Sequence, residues 1–155
     1  MRQHIIVAAE VLNTSSDVQQ LPMVLAAVKT YTGSAVGQVL ADAGYRSEAV
    51  MAELARTQPE TELVIALGRE GKILVKPRDA KRYPHTVAMG AKFDTEQGKL
   101  DYRKRKWIAE PPNGWIKNVL GFRQFSMRGL EKVKAEFKLV CLALNLRRMG
   151  AMQAS

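Results

Sequence analysis

The sequence predicts an α/β domain in which short apolar strands alternate with helices. Three apolar runs, at 4–12, 36–41 and 62–67, have the length of strands. Between them, apolar residues recur at helical spacing and are flanked by residues that cap helices. The order strand, helix, strand, helix, strand is typical of a layered domain whose neighbouring strands run parallel.

The first strand and the first helix are marked by their boundaries. Residues 4–12 (HIIVAAEVL) are rich in β-branched residues and end at a polar cluster, which predicts a buried strand. Ser16 or Asp17 can then cap a helix over 17–30, and Gly33 lies just past its end. Pro22 is expected to kink this helix unless its first turn begins later.

The next three elements continue the alternation. Residues 36–41 predict a second strand, which ends at Asp42. Ser47 fits the N-cap of a helix over 48–56, because apolar residues follow it at helical spacing. Residues 62–67 (ELVIAL) predict the third strand.

The second half of the chain reads differently. Residues 69–98 are rich in Gly, Pro and charged residues, which predicts an irregular connection with a small hairpin around 73–75. A basic helical segment begins at Lys99 and reaches a break at 110–114 (EPPNG), where two prolines interrupt the helix. A last helix covers 128–149. Its second half is apolar nearly all round, which predicts burial in this chain or against another.

Length and composition narrow the class of protein. With 155 residues, of which 46% are hydrophobic, the chain can bury one core, so a single domain is expected. No run approaches 18 apolar residues and no signal peptide is present, which predicts a soluble, cytoplasmic protein. One cysteine and two histidines exclude an intrachain disulfide and a Cys/His zinc site. A bound metal would therefore need oxygen ligands.

The net charge of +9 is concentrated in the C-terminal part of the chain. Residues 1–98 carry 11 basic and 11 acidic side chains, whereas residues 99–155 carry 13 basic and four acidic ones. The basic residues are interleaved with Tyr102, Trp107, Trp115 and Phe122. Such a mixture suits contacts to phosphates and stacking on bases, so DNA is the expected partner. The alternative is that the basic run is only a solvated helix face.

Two acids are candidates for chemistry. Asp42 follows a predicted buried strand, and ligand sites of open α/β sheets lie at that end of the strands. Glu110 lies among basic residues and tryptophans. If the two converge, their oxygens suit Mg²⁺, which binds few carboxylates and keeps its waters. The alternatives are that Asp42 only caps a turn before Gly44 and that Glu110 forms a surface ion pair with Lys106 or Lys117.

Two other residues attract attention for their surroundings. Cys141 is enclosed by Leu139, Val140 and Leu142, which favours a small core residue over a nucleophile. Glu10 is an acid inside an apolar run, where a charged residue is unusual. It points either to solvent or to a functional site.

Several segments, spread over nearly the whole chain, match a known family. They are 6–11 with Asn13 and 17–21; 41–48 (ADAGYRSE); 102–111 (YRKRKWIAEP); Gly114 with 116–117; 121–125 (GFRQF); and 128–133 through 145–146. These segments resemble the DDE transposases of bacterial insertion sequences, in the branch that has a ribonuclease H-like catalytic domain. The glutamate with a lysine seven positions later, and the run Asp-Ala-Gly-Tyr-Arg-Ser, carry most of the resemblance.

The resemblance implies a site of three carboxylates that hold two Mg²⁺ or Mn²⁺ ions and activate water or a DNA 3′-hydroxyl for attack on a phosphodiester. Asp42 would be the second acid and Glu110 the third, and both would ligate metal. The first acid would lie on a strand before 4–12. The chain is therefore expected to be a C-terminal fragment, 1–155 forming a single partial catalytic domain whose ribonuclease H-like mixed sheet, flanked by helices, is truncated at its N-terminal side. The metal would be held only weakly.

The resemblance also assigns the basic residues. The residues expected to bind DNA are Tyr102, Arg103, Lys104, Arg105, Lys106, Lys117, Arg123 and Arg128. Among them, Tyr102 would orient the DNA. Self-association or binding to a full-length transposase is expected, as is a location at the bacterial nucleoid. One alternative is a non-catalytic DNA-binding or transposase-inhibiting module that docks through an exposed sheet edge. Another is a complete metal-dependent nuclease, which would need Glu10 beside Asp42.

Overall fold

The structure, a computed structural model, describes residues 4–14, 17–68 and 79–153. These residues form α-helices and a two-stranded parallel sheet, which confirms the α/β class. In chain order the elements are α1 (Leu21–Thr32), β1 (Gln38–Ala41), α2 (Glu48–Thr57), β2 (Glu62–Ile65), α3 (Pro84–Asp94), α4 (Glu96–Ile108), α5 (Glu110–Asn118) and α6 (Leu130–Gln153).

The chain divides into two compact units. The sheet unit is Ser15–Arg105, and the helical unit is Met1–Thr14 together with Lys106–Ser155. The helix α4 contributes residues to both units. That 1–155 forms a single domain stays a prediction.

In the sheet unit, β1 and β2 pair in parallel with Gln38 opposite Glu62 and Ala41 opposite Ile65. The helix α2 connects the two strands, as parallel neighbours require. Both strands were predicted from their apolar runs. The runs extend past the paired residues, because only four residues of each strand find a partner.

The first helix begins later than its cap residues indicate. It starts at Leu21, with Pro22 in its first turn, where the missing N–H of proline costs no hydrogen bond. The expected kink is therefore absent. The helix ends as predicted at Gly33, whose positive φ of 69° lets its N–H bond to the carbonyl of Lys29 at 2.9 Å.

The helix α3 corrects the prediction of an irregular connection over 69–98. The carboxylate of Glu48, at the start of α2, accepts hydrogen bonds from the backbone N–H groups of His85 (2.6 Å) and Thr86 (2.9 Å). It thus satisfies donors at the start of α3 that the helix itself leaves unpaired. Met89 of α3 joins the hydrophobic core, so tertiary contacts outweigh a composition that favours a loop. The hairpin expected at 73–75 lies outside the described residues.

The hydrophobic core of the sheet unit lies between the sheet and helices α1 to α3. Ser47 begins α2 as predicted, its Oγ accepting from the N–H of Val50 at 3.4 Å, and α2 packs against α1 and α3. The core residues are Leu21, Leu25, Val39, Ala41, Val50, Met51, Leu54, Ile65 and Met89.

In the helical unit, the expected strand at 4–12 is wrong, because residues 4–14 form neither strand nor helix. Their backbone bonds to side chains of α6 instead. The N–H of Ile6 donates to Asn145 Oδ1 at 2.9 Å, Asn145 Nδ2 donates to the Ile6 carbonyl at 2.7 Å, and Arg148 donates to the His4 carbonyl. A strand needs a neighbouring strand, and in the described residues β1 and β2 pair only with each other.

Helices α5 and α6 also differ from expectation. The two prolines of 110–114 do not leave a loop: they lie in the first turn of α5, where proline is tolerated. The chain does not bury the second half of α6 all round, since Leu139, Leu142 and Leu146 are exposed while Cys141 and Leu144 are buried. No helix in the described ranges combines the length and the apolarity needed to cross a bilayer.

Candidate functional site

Asp42 lies directly after the last residue of β1. Its Oδ1 accepts a hydrogen bond from the N–H of Gly44 at 2.9 Å and thereby caps the short 3₁₀ turn Ala43–Tyr45. The capping role considered from the sequence is therefore real. The side chain nevertheless stays 55% exposed, so a capped Asp42 still presents a carboxylate oxygen to solvent.

Two side chains in the sheet unit approach Asp42. Arg105 Nη1 lies 3.9 Å from Asp42 Oδ2, at the long limit of an ion pair. Asp17 is a second acid: a Cβ at Gly44 would lie 3.0 Å from Asp42 Oδ1 and 3.8 Å from Asp17 Oδ2. Burial, then the charges of Asp17 and Asp42, raise the pKa of the Tyr45 hydroxyl. The sequence indicated Asp17 only as a helix cap, since nothing local shows that it lies near Asp42.

Tyr102, the aromatic residue expected to orient DNA, lies against its own unit. Its half-buried ring makes an edge-to-face contact with Phe93, with centroids 5.3 Å apart. The guanidinium of Arg105 lies over the ring at 5.6 Å. The ring thus packs inside the sheet unit, and an orienting role for Tyr102 stays a prediction.

The basic run 103–106 is not uniform. Lys104 pairs with Asp101, a buried acid whose pKa is lowered by hydrogen bonds from Lys104 and Gln97. Arg105 faces Asp42. Arg103 and Lys106 are exposed. Lys104 and Arg105 therefore have acidic partners in the sheet unit, and Lys104 stays exposed beside its partner.

Glu110 is the first residue of α5 and belongs to the helical unit. It is exposed, as are Lys117 on the same helix and Lys106 at the end of α4. Trp107 is 77% exposed, more than any other large hydrophobic side chain in the described ranges. The break between α4 and α5 at Ala109 means that Lys106 and Glu110 do not share one continuous helix face.

Arg123 and Arg128 lie on the exposed connection between α5 and α6. Phe122 and Phe125 of this connection contact each other and Phe137 of α6. The carboxylate of Glu136 accepts hydrogen bonds from the N–H groups of Ser126 (2.9 Å) and Met127 (3.3 Å). These contacts hold the connection against α6, with its two arginines exposed.

The metal site stays a prediction. Asp42 belongs to the sheet unit and Glu110 to the helical unit. Within 4–14, 17–68 and 79–153, no three His, Cys, Asp or Glu side chains form a group that could hold a metal ion. Glu10 pairs with Lys138 at 3.2 Å in the helical unit, which is a structural role for this acid.

The interpretation of Cys141 as a core residue agrees with the structure. The side chain is buried on α6, and burial raises the pKa of its thiol. Because the thiolate is the nucleophilic form, this environment disfavours reactivity.

Comparison with known proteins supplies the family. No curated protein and no solved structure matches the chain. The family described as a transposase DDE domain matches residues 69–150, more than half of the chain. The matched range includes the basic run, Glu110 and Lys117, which are the residues that carried the resemblance in the second half of the sequence. The chain therefore belongs to the transposase DDE domain family.

Proposed function

We propose that this protein binds DNA through its C-terminal basic residues and that Asp42 and Glu110 contribute to Mg²⁺-dependent phosphodiester cleavage and strand transfer. Membership of the transposase family gives a role in transposition, and DNA is the substrate class of transposases. The observation that carries the finer proposal is the family match over 69–150, because it covers both the basic run and Glu110.

DNA binding is supported by the distribution of charge. Arg103 and Lys106 on α4, Lys117 on α5, and Arg123 and Arg128 beyond it are all exposed. Exposed lysines and arginines bind duplex DNA by displacing counterions from its phosphates. The interaction is strong at low salt and largely independent of base sequence.

The donor chemistry of the two acids fits Mg²⁺. Mg²⁺ is commonly bound by one or two carboxylates, with waters and substrate phosphates completing the shell. Asp42 has an exposed carboxylate held in place by the Gly44 N–H, and Glu110 is an exposed carboxylate at the start of a helix. When bound, the ion would neutralise phosphate charge and activate the attacking oxygen.

Other groups of the chain would position the two acids and the DNA phosphates. The Gly44 N–H orients one oxygen of Asp42, and Arg105 lies beside the other. Lys106 and Lys117 flank Glu110 along the sequence and would hold phosphates of the DNA backbone near it. Positioning of the phosphodiester in this way accounts for a large part of catalysis in phosphoryl transfer.

We also propose that the parallel pair β1–β2 is part of a ribonuclease H-like mixed sheet. The strand–helix–strand order of β1, α2 and β2 supports this, as does the position of Asp42 at a strand end. An experimental structure of the protein bound to DNA tests it directly: β1 and β2 should be flanked by further strands. A sheet that remains two-stranded would contradict the proposal.

DNA binding is tested by the double variant Arg103→Ala with Lys106→Ala, which spares Lys104 and Arg105 because they have structural partners. Affinity for duplex DNA should fall at every sequence, and the salt dependence of log K should flatten by about 0.9 for each phosphate that the variant no longer binds. Lys29→Ala with Arg56→Ala removes the same charge from exposed positions of α1 and α2 and should change little. Equal affinity and slope in both double variants would contradict the assignment.

Metal binding is tested by Mn²⁺ relaxation measurements on the wild type and on Asp42→Asn with Glu110→Gln. Weak Mn²⁺ binding should disappear in the double variant, because the amides remove both anionic ligands. Unchanged Mn²⁺ binding would mean that the two acids are not ligands. Mg²⁺-dependent nicking of DNA by this chain, abolished in Glu110→Ala, would show that Glu110 takes part in catalysis, and it would contradict the expectation that the chain is a partial catalytic domain without the first acid. Salt-dependent DNA binding without metal binding or nicking would instead favour a non-catalytic DNA-binding module.

A further inference from the structure

A cavity of about 260 Å³ lies between α5 and α6 of the helical unit. Its lining combines apolar side chains with two arginines from successive residues of α6. The residues that line it are Pro111, Trp115, Leu144, Arg147, Arg148 and Ala151. A cavity with two cations and no acidic lining residue is suited to an anion.

The guanidinium of Arg147 is positioned before any ligand arrives. Its Cζ lies 4.7 Å from the centroid of the Trp115 ring. An arginine over an indole face is held by cation–π attraction, and its planar N–H donors point out from the edge of the pair. Such a fork matches the two oxygens of a phosphate, and little side-chain entropy remains to be lost on binding.

Arg148, the second arginine of the cavity lining, is anchored to the N-terminal segment. It donates one hydrogen bond to the carbonyl of His4, whereas a guanidinium has five N–H donors. Its side chain is half-buried, so its orientation is limited by packing as well as by this bond. The two arginines thus present cationic donors from fixed positions.

The opening turn of α5 offers few backbone donors to an anion. Pro111 and Pro112 occupy its second and third positions and have no N–H to donate. The arginine side chains would therefore supply most of the hydrogen bonds. Pro111 directly follows Glu110, so the cavity begins one residue from the proposed metal ligand.

We infer that this cavity is a phosphate-binding pocket in which Arg147 and Arg148 hold a backbone phosphodiester of DNA next to Glu110. The inference rests on the proposed function, because the DNA substrate class comes from it. Neither arginine was among the residues assigned to DNA binding from the sequence. The pocket would fix the position of one phosphate, while the exposed lysines and arginines supply general attraction.

The first experiment uses tryptophan fluorescence with the full chain. The sequence has two tryptophans, so Trp107→Phe leaves Trp115 as the sole indole. Pyrophosphate or a short DNA duplex bound to Arg147 should change the emission of Trp115 in a saturable way. The same titration with Arg147→Ala in this background should show no change. Trp115→Phe, which leaves only Trp107, should not respond to pyrophosphate.

The second experiment measures duplex affinity by the anisotropy of labelled DNA. Arg147→Ala should weaken binding about tenfold, the size expected for a charge-assisted hydrogen-bonded interaction. Arg147→Lys keeps the charge but loses the planar fork, and should recover only about a third of that decrease on a logarithmic scale. Arg56→Ala removes an exposed arginine of the sheet unit and should change affinity less than twofold.

The outcomes distinguish a failure of the pocket assignment from a failure of the proposed function. If the wild type binds DNA with the expected salt dependence but Arg147→Ala binds equally well, the pocket is wrong and the proposed function stands. If pyrophosphate perturbs Trp115 while duplex DNA does not, the pocket binds free anions and its assignment to DNA is overturned. If Arg147→Lys fully restores the wild-type affinity, charge alone accounts for the effect and the built pocket is contradicted. Circular dichroism confirms that each variant is folded.

Discussion

The two units of the chain hold themselves together by different means. The sheet unit buries nine apolar side chains in one cluster between its sheet and its helices. In the described part of the helical unit, the buried apolar residues are Ile116, Cys141 and Leu144, whereas many leucines and methionines of α6 stay exposed. Apolar burial is the main source of folding free energy, so the sheet unit has the larger share of it.

The helical unit relies more on polar contacts to its backbone. Asn145 and Arg148 bond to the N-terminal segment, and Glu136 bonds to the connection before α6. Each such hydrogen bond contributes about 0.5–1.5 kcal/mol. The two units thus depend on different interactions, and mutations should distinguish them.

The largest expected effect is in the core of the sheet unit. Leu54 is only 1% exposed on α2, and Leu54→Ala should lower the free energy of unfolding by about 2–5 kcal/mol, because it leaves a cavity. Leu142 on α6 is 51% exposed, and Leu142→Ala should stay within about 0.5 kcal/mol of the wild type. Urea unfolding measures both. Similar decreases in the two variants would show that the exposed face of α6 is covered in solution.

The next effect concerns the polar contacts of the helical unit. Asn145→Ala removes both partners of the Ile6 backbone and should cost about 1–2 kcal/mol, because the freed groups are partly buried. Hydrogen exchange at the Ile6 amide should become at least about tenfold faster, the equivalent of about 1.4 kcal/mol. Asn145→Asp keeps an acceptor for that amide and should protect it partly. Equal exchange rates in all three proteins would rule out this anchoring.

Glu48 gives the sheet unit a pH-dependent contribution. Burial acts to raise its pKa, but hydrogen bonds from Thr86 and His85 outweigh burial, and the net pKa lies below the ordinary value of 4.5. The carboxylate therefore stabilises the fold above that value, and the contribution is lost as the pH falls through the lowered folded pKa.

The matching variant is Glu48→Gln, which should cost about 1 kcal/mol at neutral pH, since a neutral acceptor makes weaker bonds to the start of α3. The difference from the wild type should shrink as the pH is lowered through the folded pKa. Glu53→Gln, on an exposed position of the same helix, should show neither effect. A difference that stays constant down to low pH would contradict the role of charge.

The smallest effects are expected at helical glycines, one in each unit. A Cβ at Gly114 of α5 would meet no atom within 4 Å, and one at Gly90 of α3 would lie 3.7 Å from Leu67 Cδ1, an ordinary contact. Gly→Ala at either position should therefore stabilise the protein by about 0.5–1 kcal/mol. Gly33→Ala should instead destabilise it by about 1 kcal/mol, because its φ is +69°. Thermal unfolding distinguishes these signs.

Elements governed by local signals were predicted from the sequence. Ser47 and Gly33 marked a helix start and a helix end because capping depends on residues within one turn. The strands β1 and β2 followed from apolar runs bounded by turn residues. Asp42 was located correctly at a strand end, for the same reason.

Elements that depend on distant partners were not predicted correctly from the sequence. The segment 4–12 has the composition of a strand, but its backbone bonds to Asn145, which lies 139 residues from Ile6 along the chain. The helix α3 has loop-like composition and is stabilised by Glu48, 37 residues before His85. Neither partner can be recognised from neighbouring residues.

The candidate site divides in the same way. The sequence by itself determined which residues carry charge and chemistry, namely the basic run, Asp42 and Glu110, because residue type sets what a side chain can donate, accept or ligate. Only the tertiary structure decided which of these side chains are exposed and which of them contact other side chains. Lys104 pairs with buried Asp101, Arg105 faces Asp42, and Arg147 lies on Trp115, since pairings of this kind arise from how helices pack and not from spacing along the chain.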